Sequence, residues 1–384
     1  MKKILSLSVV LSSVLFGAGY QIPNSSINSS ALATANVANA HGADAAYYNP
    51  ANMSFFDYDG SEVEQSLTYV SLSSINYDPS NGDPDIKSVH HDAFIPSLHF
   101  VSKKLTDSGI RMGISMVSPA GLSREWVDSP AVLTAEKFAL KTIELNPSIS
   151  IPINDKLSVG LGLRYLYSSG EVQFYGSDIE GDDYAAFGYN LAVSYNATKQ
   201  LNISMTYRNK VTLNLSGYDK KRSDDVSTKV LVPANFILAT AYRLQPTTTL
   251  EITYDRTMWS ALKESRFDFA TTSDVVSVKN WHDTEAYRIG LTKNLNDLTL
   301  MGGFAYSTNA TSDKYISYSS PESDSFTYSM GARYKVNDKM NVGFALLYAY
   351  YQSRTLEQGT ATGVNGTLSG KTATTLTLGL NYRF

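Results

Sequence analysis

Leu201-Asn202-Ile203-Ser204-Met205-Thr206-Tyr207-Arg208-Asn209-Lys210-Val211-Thr212-Leu213-Asn214-Leu215 decides the fold class. Leu201, Ile203, Met205, Tyr207, Val211, Leu213 and Leu215 oppose Asn202, Ser204, Thr206, Arg208, Lys210, Thr212 and Asn214. A period of two belongs to a β-strand with one greasy and one polar face. The alternation returns in Glu62 to Tyr77, where Val63, Leu67, Tyr69, Ile75 and Tyr77 carry the bulk. It returns again at the end of the chain, where Leu376, Leu378, Leu380 and Tyr382 oppose Thr375, Thr377, Gly379 and Asn381.

Outward from these stretches the punctuation is regular. Short polar turns fall at 105–109, 153–156, 196–199, 244–247, 294–297 and 336–339, about 42–50 residues apart. Each interval holds two long strands and one longer polar loop. Short turns on one side and long loops on the other mark an outer-membrane barrel, with the short turns periplasmic. Six short turns separate seven hairpins, so the chain is expected to form a closed, all-β, 14-stranded antiparallel transmembrane β-barrel. The expected strands are 61–77, 93–104, 109–126 with a break, 141–152, 156–175, 184–196, 200–217, 226–244, 248–265, 275–294, 297–308, 322–336, 339–355 and 369–384.

Composition agrees with a molecule that has two kinds of surface. Of the 384 residues, 18% are charged, below the roughly 25% usual in soluble domains, and 26 are Tyr. A net charge of -4 gives no electrostatic reason to expect nucleic acid. Cysteine is absent, which excludes disulfides, thiolate nucleophiles and cysteine-ligated zinc. Lys2 and Lys3 precede an apolar stretch, Ile4 to Phe16, and the small residues Gly17, Ala18 and Gly19 follow. Residues 1–18 therefore read as a secretory signal peptide cleaved after Gly17 or Ala18. No later apolar run approaches the roughly 18 residues of a membrane helix, so the mature chain is either soluble and secreted or crosses a membrane as a closed barrel.

Aromatics cluster toward the strand ends, as at Tyr165 and Tyr167, at Tyr348, Tyr350 and Tyr351, and at Tyr382 and Phe384. Tyrosine there keeps its ring in lipid and its hydroxyl among headgroups. The segment before the barrel is different in kind. Residues 19–57 are rich in Asn, Ser and Ala, lack strand alternation, and end in a block containing Asn49, Pro50, Ala51, Phe55 and Phe56. A barrel wider than about eight strands leaves an open lumen, and this segment reads as its plug or hatch, with residues 58–384 forming the barrel.

Ala18-Gly19-Tyr20-Gln21-Ile22, Tyr48-Asn49-Pro50-Ala51-Asn52-Met53, Ile95-Pro96-Ser97-Leu98-His99-Phe100-Val101 and Ser118-Pro119-Ala120-Gly121-Leu122 with Glu125-Trp126 carry a family resemblance. So do Thr206-Tyr207-Arg208-Asn209-Lys210-Val211, Val232-Pro233-Ala234, Met258-Trp259-Ser260, Trp281-His282-Asp283, Ala286-Tyr287-Arg288-Ile289-Gly290 and the terminal Gly379-Leu380-Asn381-Tyr382-Arg383-Phe384. Taken in order, they resemble the FadL family of Gram-negative outer-membrane transporters for long-chain fatty acids and, in other members, aromatic hydrocarbons. The resemblance implies a fourteen-stranded barrel, an N-terminal hatch, and passive passage of hydrophobic small molecules. The partners it implies are those compounds, outer-membrane lipid and lipopolysaccharide. The chain is expected to act as a monomer, with no cofactor, no metal and no catalytic residue.

In the third strand, Pro119 has no amide hydrogen for a neighbour and Gly121 permits a backbone departure, so the ladder is expected to open at Ser118, Pro119 and Gly121. FadL-type proteins resemble this in an inward kink that opens the barrel wall, which implies lateral release into the membrane. Ser129 to Leu140 is read as a helix with Ser129 as N-cap and Pro130 as first helical residue. By resemblance, its Leu133, Phe138 and Leu140 help form an outer substrate groove.

Other patterns carry less. His90-His91 lacks a third ligand, and Gly160-Leu161-Gly162 lacks the setting of a dinucleotide site. Basic wall residues hold the carboxylate in fatty-acid-carrying relatives. Alignment by eye places Ser169 and His282 at those positions, with Arg288 or Arg164 as substitutes if they point inward. Neutral hydrophobic compounds therefore stand beside fatty acids as candidates. A general diffusion porin, with a charge-lined open lumen, and a secreted all-β adhesin, with a packed interior, are the competing readings.

Overall fold

A computed structural model describes residues 19–357 and 360–384; the expected signal peptide lies outside them. Fourteen strands make the wall: β1 (Glu62–Leu72), β2 (His91–Val101), β3 (Arg111–Val117 and Gly121–Glu125), β4 (Lys137–Pro152), β5 (Leu157–Phe174), β6 (Ser177–Asn196) and β7 (Leu201–Arg208 and Val211–Asp219) form the first half. The second half is β8 (Asp224–Val232 and Asn235–Gln245), β9 (Thr248–Thr257 and Glu264–Phe269), β10 (Val275–Val278 and Thr284–Leu295), β11 (Leu298–Ser307), β12 (Ser325–Lys335), β13 (Met340–Tyr351) and β14 (Thr372–Arg383). Each pairs antiparallel with its neighbours, and β1 closes the ring on β14 from Glu62↔Arg383 to Leu72↔Ala373. Closure pairs the first strand with the last, so the backbone groups of both end strands are satisfied within the wall.

The wall is inside out relative to a soluble protein. Ser97, Glu144, Ser194, Thr253, Thr377 and Asn381 are buried toward the axis, while Leu67, Leu238, Ile289 and Leu378 are exposed and Leu163 is 68% exposed. The apolar band is bordered by rings. Tyr69 packs with Phe94, Tyr165 with Phe187, Tyr254 with Tyr287, and Phe304 with Tyr328. On the extracellular side the hydroxyls of Tyr69, Tyr254 and Tyr306 donate to Asp92, Glu285 and Asp324. At the periplasmic ends Phe384 stacks on both Phe100 and Tyr382. A ring in lipid with its hydroxyl in a polar layer is the arrangement of an aromatic girdle.

The unbroken alternation expected from Leu201 to Leu215 is corrected by the structure. Met205 faces outward, but β7 is interrupted at Asn209 and Lys210, and Val211, Leu213 and Leu215 are buried on the inner side. The physical reason is the change of solvent along the strand. Near the periplasm the outside is lipid; above the membrane it is water, and apolar residues turn inward. The expected strand 61–77 divides for the same reason: β1 ends at Leu72, and Asn76–Pro79 joins a four-stranded extracellular sheet with 86–87, 354–356 and 366–369. Ile75 and Tyr77 there pack with Trp126, Ile316, Tyr318 and Leu368.

The expected helix from Ser129 to Leu140 is also corrected. Only Val132–Ala135 is helical, and β4 begins at Lys137. Phe138 and Leu140 are wall residues in register with Val172 and Gly170, because one turn of helix cannot compete with the ladder they join.

Residues 20–56 pack against the inward faces of the strands through α1 (Ile27–Ala31), α2 (Ala45–Tyr48) and a 3-10 turn (Pro50–Phe55). Ser26 caps α1, with its hydroxyl accepting from the Ser29 amide at 3.1 Å. Wall glycines make room for backbone. A Cβ at Gly160 would stand 2.8 Å from the Pro50 carbonyl carbon, and one at Gly303 would stand 2.7 Å from the Ala33 nitrogen. Polar contacts fix the register: the Ser148 hydroxyl donates to Ala46 O at 3.0 Å, Thr253 to Ala35 O at 2.9 Å, and the Arg333 Nε to Asn28 at 2.7 Å.

Candidate functional site

The wall is interrupted where the sequence placed Ser118, Pro119 and Gly121. β2 and β3 share a ladder only from Leu98↔Met116 to Val101↔Gly113, and contact resumes above it at Ser88↔Trp126. Between those points β3 leaves the wall. The Ser118 hydroxyl donates to Thr142 O, and the Ala120 amide donates to the Thr142 hydroxyl at 3.1 Å, so the departing chain leans on β4.

The kink has found another partner. Ile22 N donates to Pro119 O at 3.0 Å, Gly121 N donates to Tyr20 O at 2.8 Å, and Gln21 bridges Ala120. Proline has no amide to offer, but its carbonyl is free to accept. Tyr20 to Ile22 therefore replaces, for three residues, the strand that β3 abandoned.

This short ladder divides two cavities. The upper one encloses about 920 Å³ of free space, part of it open to solvent, within the range of small-molecule sites. Its wall is apolar: Leu122, Phe138, Leu140, Leu215, Val226 and Phe267, with Tyr20 and Trp281 at its base. Tyr20 meets Trp259 edge-on at 4.7 Å, and Trp259 meets Trp281 at 5.0 Å. Both indole N–H groups are buried without a hydrogen-bond partner among the described residues. The lower cavity, about 750 Å³, is lined by Gln21, Ile22, Tyr47, Pro119, Arg164 and Arg208 among others.

Among the described residues, the charged groups lining the upper cavity are Lys229 and Lys279. Lys229 is exposed, whereas Lys279 is partly buried in the connection between the two parts of β10, above the membrane band. No carboxylate pairs with Lys279 among the described residues, and burial in apolar surroundings pushes its ammonium down to about 8. An unpaired cation and the Trp281 indole donor lining one apolar cavity suit a ligand whose head accepts hydrogen bonds and whose tail is apolar. In the lower cavity the charges are already satisfied. Glu144 is fully buried, takes Arg164 Nη2 at 2.9 Å and also binds Arg208, whose guanidinium lies 4.1 Å from the Tyr47 ring centroid.

The sequence-based residues fall into place unevenly. Phe138 and Leu140 line the upper cavity, whereas Leu133 is exposed on the helical turn and does not join them, a correction that follows from the shortened helix. His282 is exposed and does not line either cavity; extended backbone turns it away from its neighbour Trp281, which does. Arg288 points inward but is engaged, donating to Ala33 O at 3.0 Å and to Asp255 at 3.2 Å. Arg164 is held by Glu144, and Ser169 lines neither cavity. Asn49 donates to Val37 O at 2.9 Å and to Ser194 at 3.0 Å, and Pro50 and Ala51 sit on Gly160. Phe56 joins Tyr58, His41 and Arg111 near the periplasmic end, and Phe55 is half-buried.

Sequence reasoning missed Lys279 and the Trp259–Trp281 contact. The signal was the interruptions at Asn209-Lys210, Pro233 and Met258-Trp259, which turn the apolar face inward.

The profile of a family described as outer membrane protein transport protein (OMPP1/FadL/TodX) matches residues 8–384. Outer membrane protein P1 of Haemophilus influenzae (strain Rd) is 24% identical over 344 residues, covering 76% of this chain and 73% of that protein. The long-chain fatty acid transport protein of Escherichia coli K12 is 22% identical over 371 residues, covering 81% and 82%. Among solved structures, a Pseudomonas aeruginosa FadL homologue superposes with a TM-score of 0.81 at 18% identity, covering 96% of this chain and 99% of that one. The Pseudomonas putida toluene transporter TodX gives 0.67 at 17%, covering 97% and 99%. At these identities the likeness of structures establishes the fold.

Proposed function

The chain belongs to the outer membrane protein transport family of OMPP1, FadL and TodX, and on that premise we propose how it carries hydrophobic compounds across the outer membrane. It is an outer-membrane β-barrel channel of the Gram-negative cell, and its substrates are hydrophobic small molecules. Relatives are named for long-chain fatty acids and for toluene. The observation that carries the finer reading is the pair of cavities separated by the three-residue ladder between Tyr20–Ile22 and Pro119–Gly121.

Substrate enters the upper cavity, where its tail is desolvated among Leu140, Leu215, Val226 and Phe267. The concave apolar lining supplies roughly 25 cal/mol for each Å² of tail removed from water. Its head meets Lys279, and this favours an amphipathic carboxylate over a bare hydrocarbon. Residues 19–57 act as the hatch that denies water a continuous path. Movement of Tyr20–Ile22 off the kink joins the cavities at the gap between β2 and β3, and the substrate leaves sideways into lipid. The protein works as a monomer among lipid and lipopolysaccharide, without a cofactor.

The test is uptake of oleate and of toluene by cells carrying Pro119→Val with Gly121→Val, which restores ladder-competent residues at the kink. With folding verified by heat-modifiable migration, uptake of both compounds falls at least tenfold. Unchanged uptake in a folded variant refutes lateral release. Passage of small sugars at porin rates through the unaltered protein would favour a general diffusion pore.

A further inference from the structure

Gly19 occupies an unusual position. Its backbone nitrogen lies 3.3 Å from Glu322 Oε2, and Glu322 is 1% exposed. Glu322 Oε1 also receives Lys371 Nζ at 3.1 Å. Arg124, fully buried and donating to Ser88 at 3.1 Å, acts on the same carboxylate through its charge. Gly19 has a positive φ of 72°, and a Cβ there would stand 2.7 Å from Cε2 of Trp259, so only glycine fits against the indole.

The sequence places signal cleavage after Gly17 or Ala18. After cleavage at Ala18 the Gly19 nitrogen is a primary amine with two or three N–H donors in place of one. We propose that the mature chain begins at Gly19 and that its α-amine docks on Glu322, forming the latch that holds the hatch's first residues across the kink. The contact lies next to Tyr20, whose ring lines the upper cavity and whose carbonyl accepts from Gly121. A donor at Gly19 thus sets the register of the whole Tyr20–Ile22 ladder. A chain start one residue away would displace the amine by about 3.3 Å, out of hydrogen-bond reach. Glu322 is the carboxylate that the amine and Lys371 share, and without both donors it would be buried with part of its charge unmet. The latch rests on the lateral-gate reading for its role but not for its existence.

The experiment uses the full protein purified from outer membranes and folded in detergent. Mass spectrometry of the N-terminal peptide is expected to begin at Gly19; any other first residue overturns the proposal. Reductive methylation at pH 7 is then timed against the urea-denatured protein. The α-amine of the folded protein is expected to react at least tenfold more slowly, and Glu322→Gln, which keeps the shape and removes the charge, is expected to restore most of the rate. Lys371→Met is expected to leave the protection in place. A native α-amine that reacts as fast as the denatured one overturns the latch, as does full protection in Glu322→Gln. Because wild-type protection is measured first, failure of the variant to assemble leaves the latch refutable by that comparison alone. Either failure leaves the uptake results standing, and unchanged uptake in the folded Pro119→Val, Gly121→Val variant with intact protection condemns the lateral-release reading instead.

Discussion

Replacing Lys279 by Met tests whether the upper cavity recognises a head group. The ammonium is partly buried, has no carboxylate partner among the described residues, and faces apolar walls. A charge-assisted hydrogen bond in such a place is worth about 1.5–3 kcal/mol, which is roughly a 10- to 100-fold change in affinity. Met keeps the stem's volume, so the tail contacts persist. Oleate is expected to bind the variant roughly 10- to 100-fold more weakly, while toluene binds within about twofold. The assay is quenching of intrinsic fluorescence, since of the three tryptophans Trp281 lines the cavity and Trp259 packs against it. The pH dependence follows from the depressed ammonium at about 8. Below that value the lysine is charged in both folded and unfolded protein, and the carboxylate binds. As pH rises from 7 to 9 the folded ammonium loses its proton, and oleate affinity falls. In the ligand-free protein the unfolded lysine keeps its proton to higher pH, so the group's contribution to stability increases between about 8 and the ordinary lysine value. Equal oleate affinity in the two proteins, flat with pH in both, would refute the head-group role.

Three further substitutions probe the frame. Gly160→Val should drive a side chain into the Pro50 backbone, cost about 1–3 kcal/mol of overpacking, and unseat the hatch, read as new sensitivity to large hydrophilic antibiotics in cells whose barrel still assembles. Glu144→Leu should strand Arg164 and Arg208 and destabilise the barrel by about 3–5 kcal/mol, seen as a lower unfolding midpoint in guanidinium. Leu163→Arg should cost about 2–4 kcal/mol in folding measured in lipid vesicles, because that side chain lies in the outward apolar band. A cost below about 0.5 kcal/mol would mean that Leu163 faces water.

Strand number was legible in the sequence because turns are local. Asn154 accepts from the Lys156 and Leu157 amides, and Asn337 does the same for Lys339 and Met340, so each turn carries its own signature. The kink was legible for the same reason, since Pro119 lacks a donor wherever it sits. The direction of the apolar face above the membrane was not. Val211 and Leu213 continue the spacing of Leu201 and Ile203, and a two-residue interruption reverses them without changing the pattern's appearance. The upper cavity lies in that reversed region, so its residues were hidden together. The cation was hidden because Trp281, not His282, turns inward, and Lys279 two residues earlier shares its side.

The chain between the 3-10 turn and β1 is only Phe56 to Ser61, held by the Arg111 guanidinium on the Tyr58 and Gly60 carbonyls and joined to Phe384 through Ser61. A segment leashed this closely is never dilute. Short tethers hold a docking partner at an effective concentration on the order of millimolar, so the proposed hatch, once displaced, finds its seat again without a diffusional search. Openings that follow its displacement should be brief and self-terminating, and single-channel records should show isolated spikes of conductance instead of a sustained open level.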